Sequence, residues 1–398
     1  MKDMRPYNFF FPVGYHQFHK KQLYNFQLNR PYSWGYADYD DLVSVGNRIH
    51  DFKDWKSEMT RLADSAFAKG RILNSAFYYR AAEFYTFSDD PDKNFLYDKF
   101  SELFYKAIEG DSYEKHKVPY LSGYLPSIRI PSGKTNKGTI IIHGGFDSFI
   151  EEFYSIMKYF SNLGYDVIGF DGCGQGAALR KYGITWNIEW EQPINAILDY
   201  FELDNVTLIG FSMGGWLSLR ASAFIPRIKR VIADGHAIDY MKCYPYFIRE
   251  LHLWFMRQKR FENFINKMAD KKAKANNAQG WITRQSMDIT GIYNPMKAFE
   301  AVWLAMNEEN MFSKRISQDV LLLSSEEDHF VPIKMHKLQK TALVNANSVT
   351  DIIFTKKDQA QNHCQIGNVE FALNIMNKWI DGRNSFRSFS EIPLYERL

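Results

Sequence analysis

The run Gly210-Phe211-Ser212-Met213-Gly214-Gly215 sets a serine between two glycines. It follows the β-branched and aliphatic stretch Val206-Thr207-Leu208-Ile209 and leads into the helix formers Trp216 to Ala221. That order reads as strand, sharp turn, helix. Gly210 and Gly214 sit where the turn presses strand against helix, and a strained backbone costs least at glycine. Ser212 would then stand at the tip of a central strand. Met213 would present its backbone N–H at the start of the helix, where negative charge on a substrate oxygen could be met.

A serine hydroxyl is a poor nucleophile until a base takes its proton, and the base needs an acid to fix its tautomer and balance its charge. On this kind of turn the chain order is serine, acid, histidine. Of ten histidines, His329, His336 and His363 follow both the turn and the strand at Val320. His363, in Asp358-Gln359-Ala360-Gln361-Asn362-His363-Cys364, lies past the last strand and before the last helix, the place from which a base reaches Ser212. His336 is expected on a helix surface, and His329 is expected to point elsewhere. For the acid, Asp328 follows the penultimate strand in Ser325-Glu326-Glu327-Asp328-His329-Phe330-Val331-Pro332, with Val-Pro restarting the chain as a helix. Asp234, closing the strand at Ala233, competes for the role, and Glu326 and Glu327 read as solvated loop charges.

A second oxyanion donor is expected in His143-Gly144-Gly145-Phe146-Asp147. The two glycines let the backbone approach a bound carbonyl, and the N–H of Phe146, or of Gly145 in a different turn, would pair with that of Met213. His143 is expected to brace this loop. Asp171-Gly172-Cys173-Gly174-Gln175-Gly176 imitates a phosphate-cradling loop but lacks the lysine and the spacing, and reads as a structural turn. No cofactor or metal is called for.

These residues need a frame that brings distant segments to one sheet edge. Strands are expected at Lys117–Tyr120, Gly123–Ile130, Thr139–Ile142, Asp166–Phe170, Val206–Ile209, Ile228–Ala233, Val320–Ser324 and Asp351–Thr355, alternating with helical stretches. That alternation predicts an α/β fold with a mostly parallel sheet covered on both faces. Ser148 and Glu151 form an S-x-x-E pattern that would cap a helix running to about Leu163, and a helix from about Asn368 to Ile380 would close the fold. Residues 1–114 form a helical N-terminal region. Its helices lie on either side of Gly70 and around Asp92 to Ile108, after an irregular aromatic lead-in. Residues 115–234 and 316–385 are the two parts of the core, 235–315 a helical cap with a loose Asn276–Gly280 loop, and 386–398 a C-terminal tail.

Composition narrows the function further. A net charge of +3 over 398 residues, with no basic block interleaved with aromatics, argues against a nucleic-acid partner. The one basic cluster, Arg257 to Lys274, reads as a solvated helix face. Cys173, Cys243 and Cys364 are too dispersed for a disulfide frame or a zinc site. No signal peptide and no membrane span is read, which points to a cytoplasmic protein with a small-molecule substrate and no membrane partner. Aromatic residues make up 16% of the chain and gather in the N-terminal third and in residues 240 to 305. The second group belongs to the cap expected over the strand ends, while the N-terminal helices read first as a packing appendage or dimer surface, with an aromatic wall over Ser212 as the sharper alternative.

Taken together, His143-Gly144-Gly145-Phe146-Asp147-Ser148 with Glu151-Glu152, Phe170 to Gly176, Gly210 to Gly215, Glu327-Asp328 and His363-Cys364 resemble a branch of the α/β hydrolases. That branch contains 2,6-dihydroxypseudooxynicotine hydrolase, fungal polyketide-shortening hydrolases and fermentation-respiration switch-like esterases. The resemblance spans most of residues 55 to 380. It implies a helical cap, a helical N-terminal region packed near it, a homodimer, and hydrolysis of an ester or of a carbon–carbon bond beside a ketone. The reading from another class is a catalytically silent, hydrolase-like binding or regulatory protein. Substrate identity does not carry over, because it resides in cap and N-terminal side chains.

Overall fold

The computed structural model describes residues 9–133, 136–258, 260, 262–275 and 277–382. The tail read at 386–398, residues 1–8 of the N-terminal region and parts of the basic cluster lie outside the described residues.

The chain opens with two helices that the sequence pattern does not announce, α1 (Gln22–Ser33) and α2 (Tyr39–Gly46). Every residue of α1 from Tyr24 to Arg30 is buried, so it shows no amphipathic stripe. Both buried asparagines are spoken for: Asn25 Oδ1 accepts from His19 N and Asn29 Oδ1 accepts from His16 N. Pro31 sits inside the last turn. The antiparallel pair α3 (Phe52–Ala68) and α4 (Ile72–Phe84), broken at Gly70, and α5 (Asp92–Ala107) complete this region.

Eight strands follow in the order β1-β2-β4-β3-β5-β6-β7-β8. The hairpin β1 (Glu114–Tyr120) and β2 (Gly123–Ile130) is antiparallel and pairs antiparallel with β4. All other pairings are parallel. After β3 (Thr139–His143) come a 3-10 turn at Ile150–Phe153 and α6 (Tyr154–Asn162). The helix start is displaced by one residue from the S-x-x-E pattern. Glu152, not Glu151, accepts from Phe149 N, because Ser148 Oγ is held by Arg30 and Glu151 accepts from Tyr105. Beyond β4 (Asp166–Phe170) lie α7 (Gly176–Tyr182) and α8 (Glu191–Tyr200). The central strand β5 (Val206–Phe211), α9 (Met213–Ser222) and β6 (Ile228–Asp234) come next.

Between β6 and β7 the chain leaves the sheet for α10 (Tyr246–Arg257), α11 (Glu262–Ala273), α12 (Ala278–Thr290), α13 (Pro295–Phe299) and α14 (Glu308–Met311). Residues 278–280, read as loop, form the first turn of α12, since Asn277 caps it by accepting from Gly280 N. The sheet ends with β7 (Asp319–Ser325), α15 (Lys334–Ala342), β8 (Ser348–Phe354) and α16 (Val369–Ile380). Among the described residues no helix is long and apolar enough to cross a membrane. The result is an α/β-hydrolase fold, a mostly parallel sheet of fully buried central strands that delivers its strand ends to one rim.

Candidate active site

Ser212 occupies the turn between β5 and α9 with φ 58° and ψ −129°, a strained conformation for a residue with a Cβ. The strain is held by neighbours on both sides: Ser212 N donates to Asp234 O at 2.7 Å, and Gly215 N donates to Ser212 O at 2.9 Å. Met213 begins α9, so its N–H belongs to the first turn, which has no partner within its own helix.

His363 stands in a 3-10 turn after β8, and its Nε2 lies 2.9 Å from Ser212 Oγ. Its Nδ1 donates to Asp328 Oδ2 at 2.6 Å, which leaves Nε2 as the acceptor for the serine hydroxyl. The other carboxylate oxygen of Asp328 accepts from Phe330 N at 2.8 Å and Val331 N at 2.9 Å, so both oxygens are fixed. Burial is the largest influence and opposes a charged imidazole, but the charge and hydrogen bond of Asp328, with Cys364 adding to them, together hold the pKa of His363 well above the ordinary histidine value. Asp234 does not reach the imidazole: Gln365 Nε2 donates to its Oδ1 at 2.8 Å. Burial pushes the Asp234 carboxyl up to about 7, with the charge of Asp328 adding to the shift and the bond from Gln365 opposing it.

Two histidines differ from their expected places. His336 lies on α15 but is buried, with Nδ1 2.8 Å from Ser324 Oγ and Nε2 3.2 Å from Asp351 Oδ2. Its helix packs that face onto β7 instead of turning it to water. His329 lines the cavity mouth, its ring 4.8 Å from that of Phe26, because α1 covers the loop it stands on.

The loop 144–147 abuts the start of α9. A Cβ on Gly145 would lie 2.8 Å from Met213 N and 2.8 Å from Met213 Cβ, so only glycine permits this approach. His143 is fully buried and braces the loop. The Trp190 indole N–H, which can only donate, points at its Nε2 at 3.3 Å, so Nδ1 carries the proton and donates to Gly144 O at 2.9 Å. Gln175 Nε2 donates to Gly144 O and Gly145 O at 3.0 and 2.8 Å, so the turn after β4 serves this loop as well as its own shape.

Ser212, Met213, Phe146 and His363 open onto a cavity of about 370 Å³. Above these residues its walls include Phe26, Arg30 and Trp34 from α1 and the residue after it, Trp281 and Trp303 from the segment between β6 and β7, and Phe330 from the loop after β7. The α1 contribution is the part that sequence patterning missed. Arg30 is buried, pairs with Asp147 at 2.9 Å and Glu152 at 3.1 Å, and so ties α1 to the loop after β3. The available signal was a basic residue amid aromatics at helical spacing, Phe26, Arg30 and Trp34, one to two turns apart.

Sheet order, elbow and rim geometry define a hydrolase of the α/β class. A family model described as alpha/beta hydrolase fold matches residues 140–351, and the chain belongs to that family. Hydrolase LUC6 of Fusarium sp is 26% identical over 372 residues, covering 80% of this chain and 85% of the relative. The 20-hydroxy-prefusarin hydrolase FUS2 of Gibberella moniliformis is 30% identical over 244 residues, covering 51% of this chain and 57% of FUS2. The chain spans between 34% and 63% of the length of six further curated relatives. The crystal structure of 2,6-dihydroxy-pseudo-oxynicotine hydrolase superposes with a TM-score of 0.61 at 19% identity, over 89% of this chain and 93% of that one, a likeness of fold. The relatives are hydrolases by name, and the chain is a hydrolase.

Proposed function

We propose that this hydrolase works through Ser212, His363 and Asp328 on an ester, or on a carbon–carbon bond beside a ketone, in a mid-sized, partly aromatic small molecule. The observation that carries the reading is the hydrogen-bonded line from Asp328 through His363 to Ser212 at the floor of an aromatic cavity. In this mechanism Nε2 of His363 takes the hydroxyl proton as Ser212 Oγ attacks the carbonyl, and Asp328 stabilises the imidazolium. The oxyanion is received by Met213 N–H and by an N–H of Gly145 or Phe146. His363 returns the proton to the leaving alkoxide or enolate. Water, activated by the same imidazole, then frees Ser212 as an acid product is released. A cavity of this volume lies at the small end of ligand sites, and its aromatic walls favour a flat, apolar acyl or leaving group.

Fluorophosphonate labelling tests the nucleophile. The expected result is a single adduct on Ser212, lost in Ser212→Ala and in His363→Ala. A folded protein that takes no label is a ligand-binding relative instead. A panel of aryl esters and aryl β-diketones then separates the two bond classes.

A further inference from the structure

Four consecutive carbonyls of the loop after β3 are each taken by a side chain. Gly144 O and Gly145 O accept from Gln175, Phe146 O accepts from Gln285 Nε2 at 3.0 Å, and Asp147 O accepts from Arg80. Among the described residues no peptide is cis, and across a trans peptide the carbonyl and the following N–H point in opposite directions. Drawing the carbonyls outward therefore turns the N–H groups of residues 145 to 148 away from those anchors. At Gly145 the loop is packed against Met213 N.

The anchors have different origins. Gln175 belongs to the turn after β4 and Arg80 to α4, both packed into the core. Gln285 lies on α12, one turn after Trp281 and next to the cavity-lining segment. Trp281 meets the ring of Phe146 edge-on at 5.6 Å, and Trp303 meets the same ring at 5.0 Å. The helix that walls the cavity thus holds both the ring and the carbonyl of one loop residue.

We propose that Gln285 is a positioning residue through which the segment between β6 and β7 sets the oxyanion hole. Gln175, through Gly144 O and Gly145 O, sets the direction of the Gly145 and Phe146 N–H groups. A substrate seated against Trp281 fixes α12, and α12 holds the ring and the carbonyl of Phe146 through Trp281 and Gln285, so that the Phe146 backbone stays where its own N–H lines up with that of Met213. This rests on the reading of Ser212 as nucleophile. It makes substrate fit in the cavity a determinant of turnover as well as of binding.

The test uses the full chain and compares wild type with Gln285→Met, which keeps the side-chain bulk but cannot donate, and Gln285→Ala. Steady-state constants are measured on an aryl ester. Affinities are measured for an aryl trifluoromethyl ketone, which forms a tetrahedral oxyanion adduct with a nucleophilic serine, and for the matching methyl ketone, which does not. The expected result for Gln285→Met is about a tenfold fall in both kcat and trifluoromethyl ketone affinity, with KM and methyl ketone affinity within about twofold. A rise in KM with weaker methyl ketone binding, at unchanged kcat and unchanged preference for the trifluoromethyl ketone, would reduce Gln285 to a wall contact and overturn the proposal. If wild type and Ser212→Ala bind the trifluoromethyl ketone alike, the nucleophile assignment fails and takes this proposal with it. If Gln285→Ala melts early, the Gln285→Met variant decides.

Discussion

Nδ1 of His363 lies 2.6 Å from Oδ2 of Asp328, while Asp234, the other carboxylate near the strand ends, bonds Gln365. Two acids were available to support one base, and side-chain geometry gives the contact to the one on the loop after β7.

Asp328→Asn is therefore expected to lower kcat by about 10⁴-fold with the fold intact, whereas Asp234→Asn stays within a few-fold of wild type. The pH profile adds a sign. In the proposed mechanism the neutral imidazole is the base, and Asp328 raises its pKa, so kcat/KM is expected to climb with pH and to reach half-maximum above 6.5. The residual activity of Asp328→Asn should have its limb at lower pH. A Asp234→Asn variant as slow as Asp328→Asn would transfer the role.

Asp234 should show itself in stability. Its carboxyl is raised from an ordinary 3.8 to about 7, so between those values the folded chain binds more protons than the unfolded chain. Stability contributed by this group falls as pH rises through that window, and its cost is complete above pH 7. Asp234→Asn is thus expected to melt above wild type at pH 8, with the gap closing towards pH 4. An equal gap at both pH values would refute the assignment.

Gly145→Ala places a methyl group 2.8 Å from the nitrogen that begins α9. The loop must retreat from Met213, and one oxyanion donor goes with it. The expected outcome is a kcat about a hundredfold lower, with KM near wild type. Unchanged turnover would place the second donor elsewhere.

Glu83 is buried among Arg80 at 2.5 Å, Lys93 at 2.7 Å and Arg180 at 2.5 Å. Burial opposes its charge, but the cations prevail and lower its pKa to about 2. Glu83→Gln leaves three cations around a neutral amide and should cost about 3 to 5 kcal/mol at neutral pH by denaturant unfolding. A depressed carboxylate gives stability above its ordinary pKa of 4.5 and loses it as pH falls towards 2. The deficit of Glu83→Gln should therefore shrink over that range.

The residues of the rim were legible along the chain because each follows a strand with a local signature. Gly-x-Ser-x-Gly spans the end of β5 and the start of α9, the glycine pair follows β3, Asp328 precedes Val-Pro after β7, and His363 comes between β8 and α16. The 3.6-residue pattern located α3 and α5, which have one wet face and one dry face, and short apolar runs bounded by turn residues located the buried central strands. Other parts left no such trace. α1 is dry on all sides and ends through a proline, so its pattern resembles a loop, yet it supplies Phe26, Arg30 and Trp34 to the cavity. The choice between Asp328 and Asp234 turned on which carboxylate the imidazole faces, and the roles of Gln175 and Gln285 on which carbonyls their amides reach. Sequence order by itself determined which strand ends carry Ser212, His363 and the two carboxylates that compete for the third place in the proposed mechanism. The tertiary structure decided which acid touches the base and what walls the cavity, because hydrogen bonds act over about 3 Å between residues that the chain keeps far apart.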